Sequence, residues 1–440
     1  MEKIVPRTKS VYVPMAVDII HPGHINVISH AASVGSVTVG LLTDSAIASY
    51  KRVPLMSYDQ RMRIVESIKG VDQVVAQDSW DYTVNLRRLK PDFMVHADDW
   101  VTGVQAERRE ECLVALAEWG GELIEPTYTP GISSTQLLAE QRRWGITPDA
   151  RLSRLRRLIE VKPLIRILEA HNGLSALIVE SMEVERGGTP LQFDAVWSSS
   201  LTDSTSRGKP DIEAVDISSR LSTTNEIFEV TTKPMVFDGD TGGRIEHLPF
   251  TVRSLERLGV SAIVIEDKEG LKRNSLFGNE ANQVQADPED FGRKIAAAKL
   301  AQVTEDFMVV ARIESLILEQ GLADALSRAR IYVGAGADAV LIHSKSKSPS
   351  EVMEFSRAFR SEFPSVPIIA VPSTYREAID TELAEAGVNV LIYANHMLRA
   401  AYPSMRKVAE SILLNGRSLE AEELLEPIPS ILTLVPGNQD

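Results

Sequence analysis

The sequence predicts an α/β protein in which an open, doubly wound parallel sheet is followed by a closed (β/α)8 barrel. Short apolar runs alternate with helical patterns through most of the 440 residues, and this alternation is typical of parallel sheets. From about residue 155 onwards, eight strand candidates follow one another over about 270 residues, which suits a (β/α)8 barrel. A chain of this length is also too long for one ordinary core, so at least two domains are expected.

Each strand of the first part is predicted from a short apolar run between helical stretches. The strand candidates are 11–13, 37–42, 93–96 and 122–124, and the helical stretches include 25–33, 58–68 and 108–119. About five elements of this kind would form an open doubly wound sheet.

The eight strand candidates of the second part are also apolar, and most of them end in polar residues. They are 164–168, 195–197, 235–237, 262–265, 308–311, 339–342, 368–371 and 390–393. The predicted division is a first domain over 1–140, a linker over 141–154, a barrel over 155–426 and a tail over 427–440. The tail is rich in proline and is expected to be irregular.

The composition limits the classes of partner. The formal charge of −14, without a long basic run, argues against nucleic acid, because a negative surface repels phosphate backbones. No apolar run reaches membrane-spanning length, so no membrane partner is expected. The single cysteine, Cys112, cannot form an internal disulfide, and the start MEKIVPRTKS lacks the apolar stretch of a signal peptide. A cytoplasmic protein is therefore expected, with Cys112 buried as a small apolar residue.

An arginine-rich segment lies at the predicted linker. It contains Arg142, Arg143, Arg151, Arg154, Arg156 and Arg157. We interpret it as the solvated face of a surface helix, in preference to a phosphate-binding site.

Polar side chains follow the predicted barrel strands at the end where barrel enzymes carry their catalytic groups. Asp238 and Asp240 follow the third strand, and Glu266 follows the fourth. Each carboxylate alone would be expected to cap a helix or pair with a basic residue. Three on adjacent strands would repel one another without a hard cation, so together they favour a Mg²⁺ site.

For two further strand-end residues and for one loop, the sequence is compatible with two roles each. Arg312 could bind an anionic substrate bidentately, or it could form a salt bridge with Glu314 or Asp240. His343 could serve the same site or be a satisfied core histidine. The loop over 269–278 has the composition of a mobile lid, although a plain surface loop would look similar.

Seven segments of the second part together resemble the phosphoenolpyruvate mutase family of the isocitrate lyase superfamily. They are HNGLSA at 171–176, VWSSSLT at 196–202, DGDTGG at 238–243, IEDKEGLKRNSL at 265–276, ARIES at 311–315, IHSKSKSP at 342–349 and IYANHMLRA at 392–400. The resemblance implies an enzyme that rearranges phosphoenolpyruvate to phosphonopyruvate with Mg²⁺. It also implies a homo-oligomer, a dimer or a tetramer with exchanged terminal helices.

The same resemblance implies a role for each matching residue. Asp238 would lie closest to Mg²⁺, with Asp240, Glu266 and Asp211 supporting it partly through water. The substrate pocket and gating loop would be formed by Trp197, Ser199, Ser200, Leu201, Arg312 and His343, and by Lys272, Asn274, Ser275 and Leu276. Of the gating-loop residues, Lys272 and Asn274 would be catalytic. Asp211 would be catalytic too, either as a phosphoryl acceptor or in a dissociative transfer without that intermediate.

Two departures from neighbouring families favour the mutase. The lyases of the superfamily carry a catalytic cysteine in a KKCGH motif, where this sequence has EDKEGLKRNSL. The hydrolase that cleaves phosphonopyruvate lacks the lid asparagine, so Asn274 indicates a mutase. Ser200 stands where some relatives have glycine.

The first part contains His21-Pro22-Gly23-His24 at the predicted start of a helix. Two imidazoles beside free amides and a positive helix end suit a nucleoside triphosphate. A metal site is disfavoured, because no third ligand lies nearby in the sequence. Ser133, Ser134 and Thr135 precede another helical stretch, where they could cap the helix, contact phosphate or do both.

With LLTDSAIASYKR, SYDQR and HADDW, these motifs resemble the cytidylyltransferase family, which implies a Rossmann-like, doubly wound nucleotidyltransferase domain. His21 and His24 would then stabilise the α-phosphate of CTP. The other implied nucleotide-binding residues are Asp18, Lys51, Arg52, Asp98, Ser133, Ser134 and Thr135. Met15 and Tyr128 depart from the family, which has a glycine and an arginine there.

The combination of the two domains resembles the bifunctional enzymes of fosfomycin biosynthesis. The resemblance implies that the first domain transfers CMP from CTP to a phosphonate such as 2-hydroxyethylphosphonate. Three alternatives remain: 2-aminoethylphosphonate as acceptor, a non-catalytic nucleotide-binding domain, and a barrel that hydrolyses phosphonopyruvate.

Overall fold

The computed structural model describes residues 9–101, 106–127, 146–186, 189–270, 272–275 and 283–435. The chain forms two compact units. The first comprises Met1–Ile165, Ser181–Asp194 and Thr231–Lys233, and the second comprises Arg166–Glu180, Ala195–Val230 and Pro234–Asp440.

The first unit contains a five-stranded parallel sheet with the strand order β3-β2-β1-β4-β5. Its strands are β1 (Ser10–Met15), β2 (Ser36–Leu42), β3 (Gln73–Gln77), β4 (Phe93–Val95) and β5 (Glu122–Ile124). Its described helices are α1 (Pro22–Val34), α2 (Asp44–Ala48), α3 (Tyr58–Glu66), α4 (Thr83–Leu89), α5 (Ala106–Ala117) and α6 (Pro148–Val161). Val11 and Val13 pack into one apolar cluster, and Tyr12 packs into another. Both faces of the central strand are therefore covered, which confirms the predicted doubly wound architecture.

The interpretation of the arginine-rich segment as a solvated face is wrong for the part that the structure describes. Arg151, on α6, is only 3% exposed, and its guanidinium donates to the carbonyl oxygen of Thr231 at 3.2 Å. Arg157 donates to the carbonyl oxygen of Leu55 at 2.7 Å and contacts Asp44 at 3.2 Å. These guanidinium groups satisfy backbone carbonyls and a carboxylate inside the first unit, a tertiary role that composition does not reveal. Arg142 and Arg143 lie outside the described residues.

The second part of the chain forms a closed, parallel eight-stranded barrel, as predicted. All eight strand candidates are confirmed, as β6 (Ile165–Glu169), β9 (Ala195–Ser198), β10 (Met235–Asp238), β11 (Ala262–Glu266), β14 (Met308–Ile313), β15 (Ala339–Ile342), β16 (Ile368–Ala370) and β17 (Val390–Tyr393). Two antiparallel pairs accompany it, β7 (Glu183–Arg186) with β8 (Thr189–Gln192), and β12 (Lys268–Glu269) with β13 (Val284–Gln285).

Helices follow the barrel strands. They are α7 (Gly173–Ser181), α8 (Ser200–Ser206), α9 (Ile217–Phe228), α10 (Leu248–Leu258), α11 (Pro288–Ala301), α12 (Gly321–Gly334), α13 (Ser350–Glu362), α14 (Asp380–Glu385), α15 (His396–Asn415) and α16 (Ile428–Thr433). Helix α16 lies in the tail that was expected to be irregular. Its two prolines are Pro427 at the N-cap and Pro429 in the first turn, where a missing amide proton breaks no helical hydrogen bond.

Cys112 is buried, as predicted, and burial raises the pKa of its thiol to about 12. Among the described residues, no helix is both long and apolar enough to cross a membrane.

Candidate active sites

Asp238 is the last residue of β10, and its carboxylate is buried at the C-terminal end of the barrel. Its Oδ2 accepts hydrogen bonds from the amide and the hydroxyl of Ser200 at 3.2 and 2.9 Å. Burial alone would raise the pKa of Asp238. The positive charges of Lys272, Arg220 and Arg312 outweigh this effect and hold the pKa below its ordinary value. Asp238 is therefore a charged carboxylate at neutral pH.

The turn after Asp238 brings Asp240 to the same place. A Cβ atom on Gly239 would lie 2.7 Å from a side-chain carbon of Ile263 and 2.8 Å from the carbonyl oxygen of Val264, so only glycine fits against β11. Asp240 then adopts a left-handed conformation with φ of 54°. The middle glycine of DGD thus lets both carboxylates project from one strand end.

The ammonium group of Lys272 lies among three carboxylates. Its Nζ is 3.3 Å from Asp211 and 3.5 Å from Asp238, and it also contacts Asp240. Burial alone would lower the pKa of Lys272, but these carboxylates, led by Asp238, raise it. Asn274 donates from Nδ2 to Oδ2 of Asp211 at 3.0 Å. Two predicted gating-loop residues therefore contact the predicted carboxylates.

Arg312 contacts three further side chains of the site, those of Glu314, Glu266 and His343. Its guanidinium donates to Glu314 at 2.6 Å and lies 3.4 Å from Glu266, so the predicted alternative of a salt bridge to Glu314 is present. It also donates to Nδ1 of His343 at 3.1 Å. Arginine can only donate, so the ring proton of a neutral His343 must be on Nε2. Burial lowers the pKa of His343, and its Nε2 is buried without a hydrogen-bond partner among the described residues.

The donor set fits a divalent cation. Both carboxylate oxygens of Glu266 are buried and accept no hydrogen bond within the described part of the chain, and burial raises the pKa of this group. Asp211, Asp238 and Asp240 converge on a point that now holds an ammonium ion. Among the described residues, no three acidic, histidine or cysteine side chains are arranged to hold a metal ion by themselves. A cation here would keep several water ligands, as Mg²⁺ usually does.

The remaining predicted pocket residues lie on β9 and the start of α8. Trp197 is buried and its Nε1 has no hydrogen-bond partner among the described residues. Ser199 caps α8 by accepting from the amide of Thr202 at 3.4 Å, and Leu201 follows in the first turn. Ser275 donates to Glu314 at 2.6 Å. Leu276 lies outside the described residues.

Arg220, on α9, was missed by the sequence analysis. It is 4% exposed, contacts Asp240 and the carbonyl oxygen of Ser198 at 3.2 Å each, and packs over the ring of Phe237 at 4.1 Å. Arg220 therefore connects the C-terminal ends of β9 and β10. No local pattern in its helix signals this role, since it arises from long-range packing.

In the first unit, His21 precedes α1 and Pro22 is the first helical residue. The amide of His21 donates to Nδ1 of His24 at 3.3 Å, and the two ring centroids are 3.9 Å apart. Burial, His21 and the charge of Lys51 lower the pKa of His24 to about 3. A neutral His24 therefore carries its proton on Nε2, where it can donate to an anion at the helix N-terminus.

The other predicted nucleotide-binding residues have varied positions. Asp18 accepts from the amide of Leu55 at 2.7 Å, and burial raises its pKa. Arg52 donates to Gln192 at 2.7 Å, and Asp98 is an exposed residue at the start of a 3-10 turn. Ser133, Ser134 and Thr135 lie outside the described residues, so their contribution stays a prediction.

Comparison with known proteins gives two family matches. Residues 155–413 match the family "Phosphoenolpyruvate phosphomutase", and residues 16–140 match the family "Cytidylyltransferase-like". Over 299 residues, the chain is 34% identical to a phosphoenolpyruvate phosphomutase from Tetrahymena pyriformis, covering 68% of this chain and 95% of that one.

Two solved structures resemble the barrel. The phosphoenolpyruvate phosphomutase from Streptomyces platensis subsp. rosaceus has a TM-score of 0.58 and 38% identity, covering 64% of this chain and 94% of that chain. A phosphonopyruvate hydrolase in complex with oxalate and Mg²⁺ has a TM-score of 0.57 and 32% identity, covering 66% of this chain and 95% of that chain.

Proposed function

Because the chain belongs to the phosphoenolpyruvate phosphomutase family, we propose that its barrel interconverts phosphoenolpyruvate and phosphonopyruvate. The observation that carries this proposal is the contact of Lys272 and Asn274 with Asp211, Asp238 and Asp240. It brings loop residues against the carboxylates of the barrel site, as a reaction that excludes water requires. The phosphorus–oxygen bond of the enol breaks and a phosphorus–carbon bond to the methylene group forms within one molecule.

Mg²⁺ is the proposed cofactor, held by Asp238 with Asp240, Glu266 and Asp211 in support. When bound, it would neutralise the negative charge of the pyruvate enolate. The carboxylate of Glu266 supports this assignment, because its two buried oxygens accept no hydrogen bond from the described residues and have only the ion-pair contacts with Lys268 and Arg312 at 3.4 Å.

The other pocket residues would bind and orient the substrate. Arg312 and the Nε2 proton of His343 would hold the phosphoryl oxygens. Trp197, Ser199, Ser200, Leu201, Ser275 and Leu276 would line the pocket. Asp211 is hydrogen-bonded to Asn274, and this contact is compatible both with a phosphoryl acceptor and with a dissociative transfer.

Phosphorus NMR tests the mutase proposal. Phosphonopyruvate and Mg²⁺ should give phosphoenolpyruvate, and EDTA should stop the reaction. Asn274→Ala should slow it by about 10- to 100-fold, because a hydrogen bond to a charged carboxylate is lost. Inorganic phosphate as the main product of the wild type would instead identify a hydrolase. The chain also resembles a phosphonopyruvate hydrolase structure, so this outcome must be tested.

For the cytidylyltransferase-like domain, we propose transfer of CMP from CTP to a phosphonate. The paired imidazoles at the start of α1 support it, with Lys51, Arg52, Asp18, Asp98 and 133–135 completing the proposed nucleotide site. As in the bifunctional enzymes of fosfomycin biosynthesis that the domain pairing resembles, 2-hydroxyethylphosphonate is the first acceptor to test. Incubation with CTP and either that compound or 2-aminoethylphosphonate should release pyrophosphate. No CTP consumption with either would favour a non-catalytic nucleotide-binding domain.

A homo-oligomer is part of the proposal. Helix α15 contains no buried residue, and its Leu413 and Leu414 are 84% and 77% exposed. An apolar surface of this kind is typical of an interface between subunits.

A further inference from the structure

The ammonium group of Lys268 connects separate parts of the loop that follows β11. Lys268 is only 4% exposed. Its Nζ donates to the carbonyl oxygen of Arg273 at 3.0 Å, to the hydroxyl of Ser275 at 2.8 Å and to Oε1 of Gln283 at 2.7 Å. One side chain therefore contacts both the segment 272–275 and the residue just before β13.

The same ammonium group faces two buried carboxylates. Its Nζ lies 3.4 Å from Glu266 and 3.2 Å from Glu314. A buried charge without such partners would be very costly, so these contacts fix the position of the ammonium group. Lys268 thereby joins the loop to the ends of β11 and β14.

The backbone of the loop is held by a separate set of contacts. Lys268 and Glu269 pair with Gln285 and Val284 in an antiparallel ladder, and the amide of Ala286 donates to the carbonyl oxygen of Asp267 at 2.9 Å. This ladder closes the base of the loop but does not include 272–275. The side chain of Lys268 reaches that segment.

We infer that Lys268 is a positioning residue that latches the segment 272–275 over the barrel site, an inference that rests on the proposed mutase function. The latch holds Lys272 and Asn274 against the carboxylates and keeps water out. Without it, water would attack the phosphorus atom and the carbon–phosphorus bond of phosphonopyruvate would break. The released electron pair takes a proton at the methylene carbon, so the products are pyruvate and inorganic phosphate.

Two variants separate the latch from simple charge balance. Lys268→Met removes every contact of the ammonium group. Gln283→Leu removes the contact with Lys268 and a weaker hydrogen bond from Nε2 of Gln283 to the carbonyl oxygen of Asn274 at 3.4 Å. It leaves Lys268 paired with Glu266 and Glu314. Lys299→Met is the matched control, because Lys299 pairs with Asp338 at 2.8 Å and forms no hydrogen bond or ion pair with the described residues of the loop or the site.

Two measurements follow each variant. Phosphorus NMR gives the ratio of inorganic phosphate to phosphoenolpyruvate formed from phosphonopyruvate with Mg²⁺. Limited trypsin digestion of the ligand-free protein, read by mass spectrometry, gives the cleavage rate after Lys272 and Arg273. For Lys268→Met we expect both the phosphate ratio and the cleavage rate to rise by about 10- to 100-fold. Gln283→Leu should change both in the same direction by a smaller factor, and Lys299→Met should change neither.

The outcomes are distinguishable. If Lys268→Met lowers turnover while the phosphate ratio and the cleavage rate stay at control values, Lys268 only balances charge and the latch is refuted. If the wild type does not convert phosphonopyruvate at all, the proposed function fails, and trypsin cleavage of the ligand-free variants still decides the latch. If Lys268→Met does not fold by circular dichroism, unchanged ratios and cleavage in Gln283→Leu overturn the inference.

Discussion

At the scale of single residues, the barrel site shifts the pKa values of two neighbouring carboxylates in opposite directions. The pKa of Asp238 is held low by Lys272, Arg220 and Arg312, whereas burial raises the pKa of Glu266. Such opposed shifts are typical of functional sites. A cation would stabilise the charged form of Glu266 further, since its two oxygens lie 3.4 Å from Lys268 and Arg312 but accept no hydrogen bond from the described residues.

Asp238→Ala should lower mutase activity by about 100- to 1,000-fold, because a charged group that the site preorganises is lost. The fold should persist, which circular dichroism would show. Asp290→Ala is a suitable control, because Asp290 forms an exposed ion pair with Arg293 on α11. Activity near that of the wild type, with unchanged dependence on Mg²⁺, would exclude the assigned site.

The lowered pKa of His24 makes stability depend on pH. The unfolded histidine titrates near its ordinary value of 6.5, and the folded one near 3. Between these values the unfolded state binds more protons, so stability is full above about pH 6.5 and is lost as the pH falls towards 3. His24→Gln should remove this loss, and we expect the stability difference between the two proteins to change by about 2 kcal/mol between pH 7.5 and pH 5. If urea unfolding gives the same stability difference between the wild type and His24→Gln at pH 5 and at pH 7.5, the prediction is contradicted.

At the scale of secondary structure, the close approach of the end of β10 to β11 determines where the carboxylates of the site lie. Asp238 and Asp240 flank a glycine whose amide donates to the carbonyl oxygen of Val264 at 2.7 Å. The amide of Glu266 donates to the carbonyl oxygen of Asp240 at 2.8 Å. The strand end and the following turn therefore form one hydrogen-bonded unit that positions all three carboxylates.

Gly239→Ala should disturb this unit, because the added Cβ would lie too close to Ile263 and Val264. We expect a loss of about 1–3 kcal/mol in the free energy of unfolding, together with a large loss of mutase activity. Gly173→Ala is the matched control, since its Cβ would meet a backbone atom at an ordinary 3.6 Å. Equal stability and activity of the two variants would show that the close approach is unimportant.

At the scale of the whole molecule, two site constellations lie in separate compact units. The proposed reactions also use different substrates. The barrel would form the carbon–phosphorus bond, and the first domain would activate a phosphonate that other enzymes have made from that product. This order implies that the intermediate leaves the protein between the two reactions.

The two activities should therefore be separable. His24→Ala should abolish CTP-dependent transfer, because a donor to the α-phosphate is lost as charge develops there. It should leave conversion of phosphonopyruvate almost unchanged, and Asp238→Ala should have the opposite effect. Assaying both variants for both reactions decides the question. A folded variant that loses both activities would contradict independence.

The proposed assembly depends on the apolar surface of α15. A Leu413→Glu, Leu414→Glu double variant should shift the mass measured by light scattering towards the monomer, because buried charges would destabilise the interface. Leu300→Glu, on α11, is the control, since Leu300 is 88% exposed but lies on a different helix. An unchanged mass in the double variant would place the subunit contact elsewhere.

The sequence alone determined the order and type of the main elements. All eight barrel strands were predictable, since each is a short apolar run. Four of the five strands of the first sheet were predictable for the same reason. The missed strand, Gln73–Gln77, begins and ends with glutamine. Its Gln77 is buried because it bonds Tyr12 and Asn85, a long-range reason that no local pattern contains.

Only the tertiary structure decided which side chains meet. Asp238, Asp240 and Glu266 could be proposed from strand ends, because the ends of parallel strands lie at one edge. The roles of Arg220 and Lys268 could not be predicted. Arg220 lies in a helix without a distinctive pattern, and the sequence around Lys268 does not show which residues its ammonium group contacts. The burial of Arg151 was predicted wrongly, because composition reports the charge of a guanidinium group but not the carbonyl groups that surround it. Local periodicity therefore determines the elements, and long-range hydrogen bonds and charge pairs determine the site.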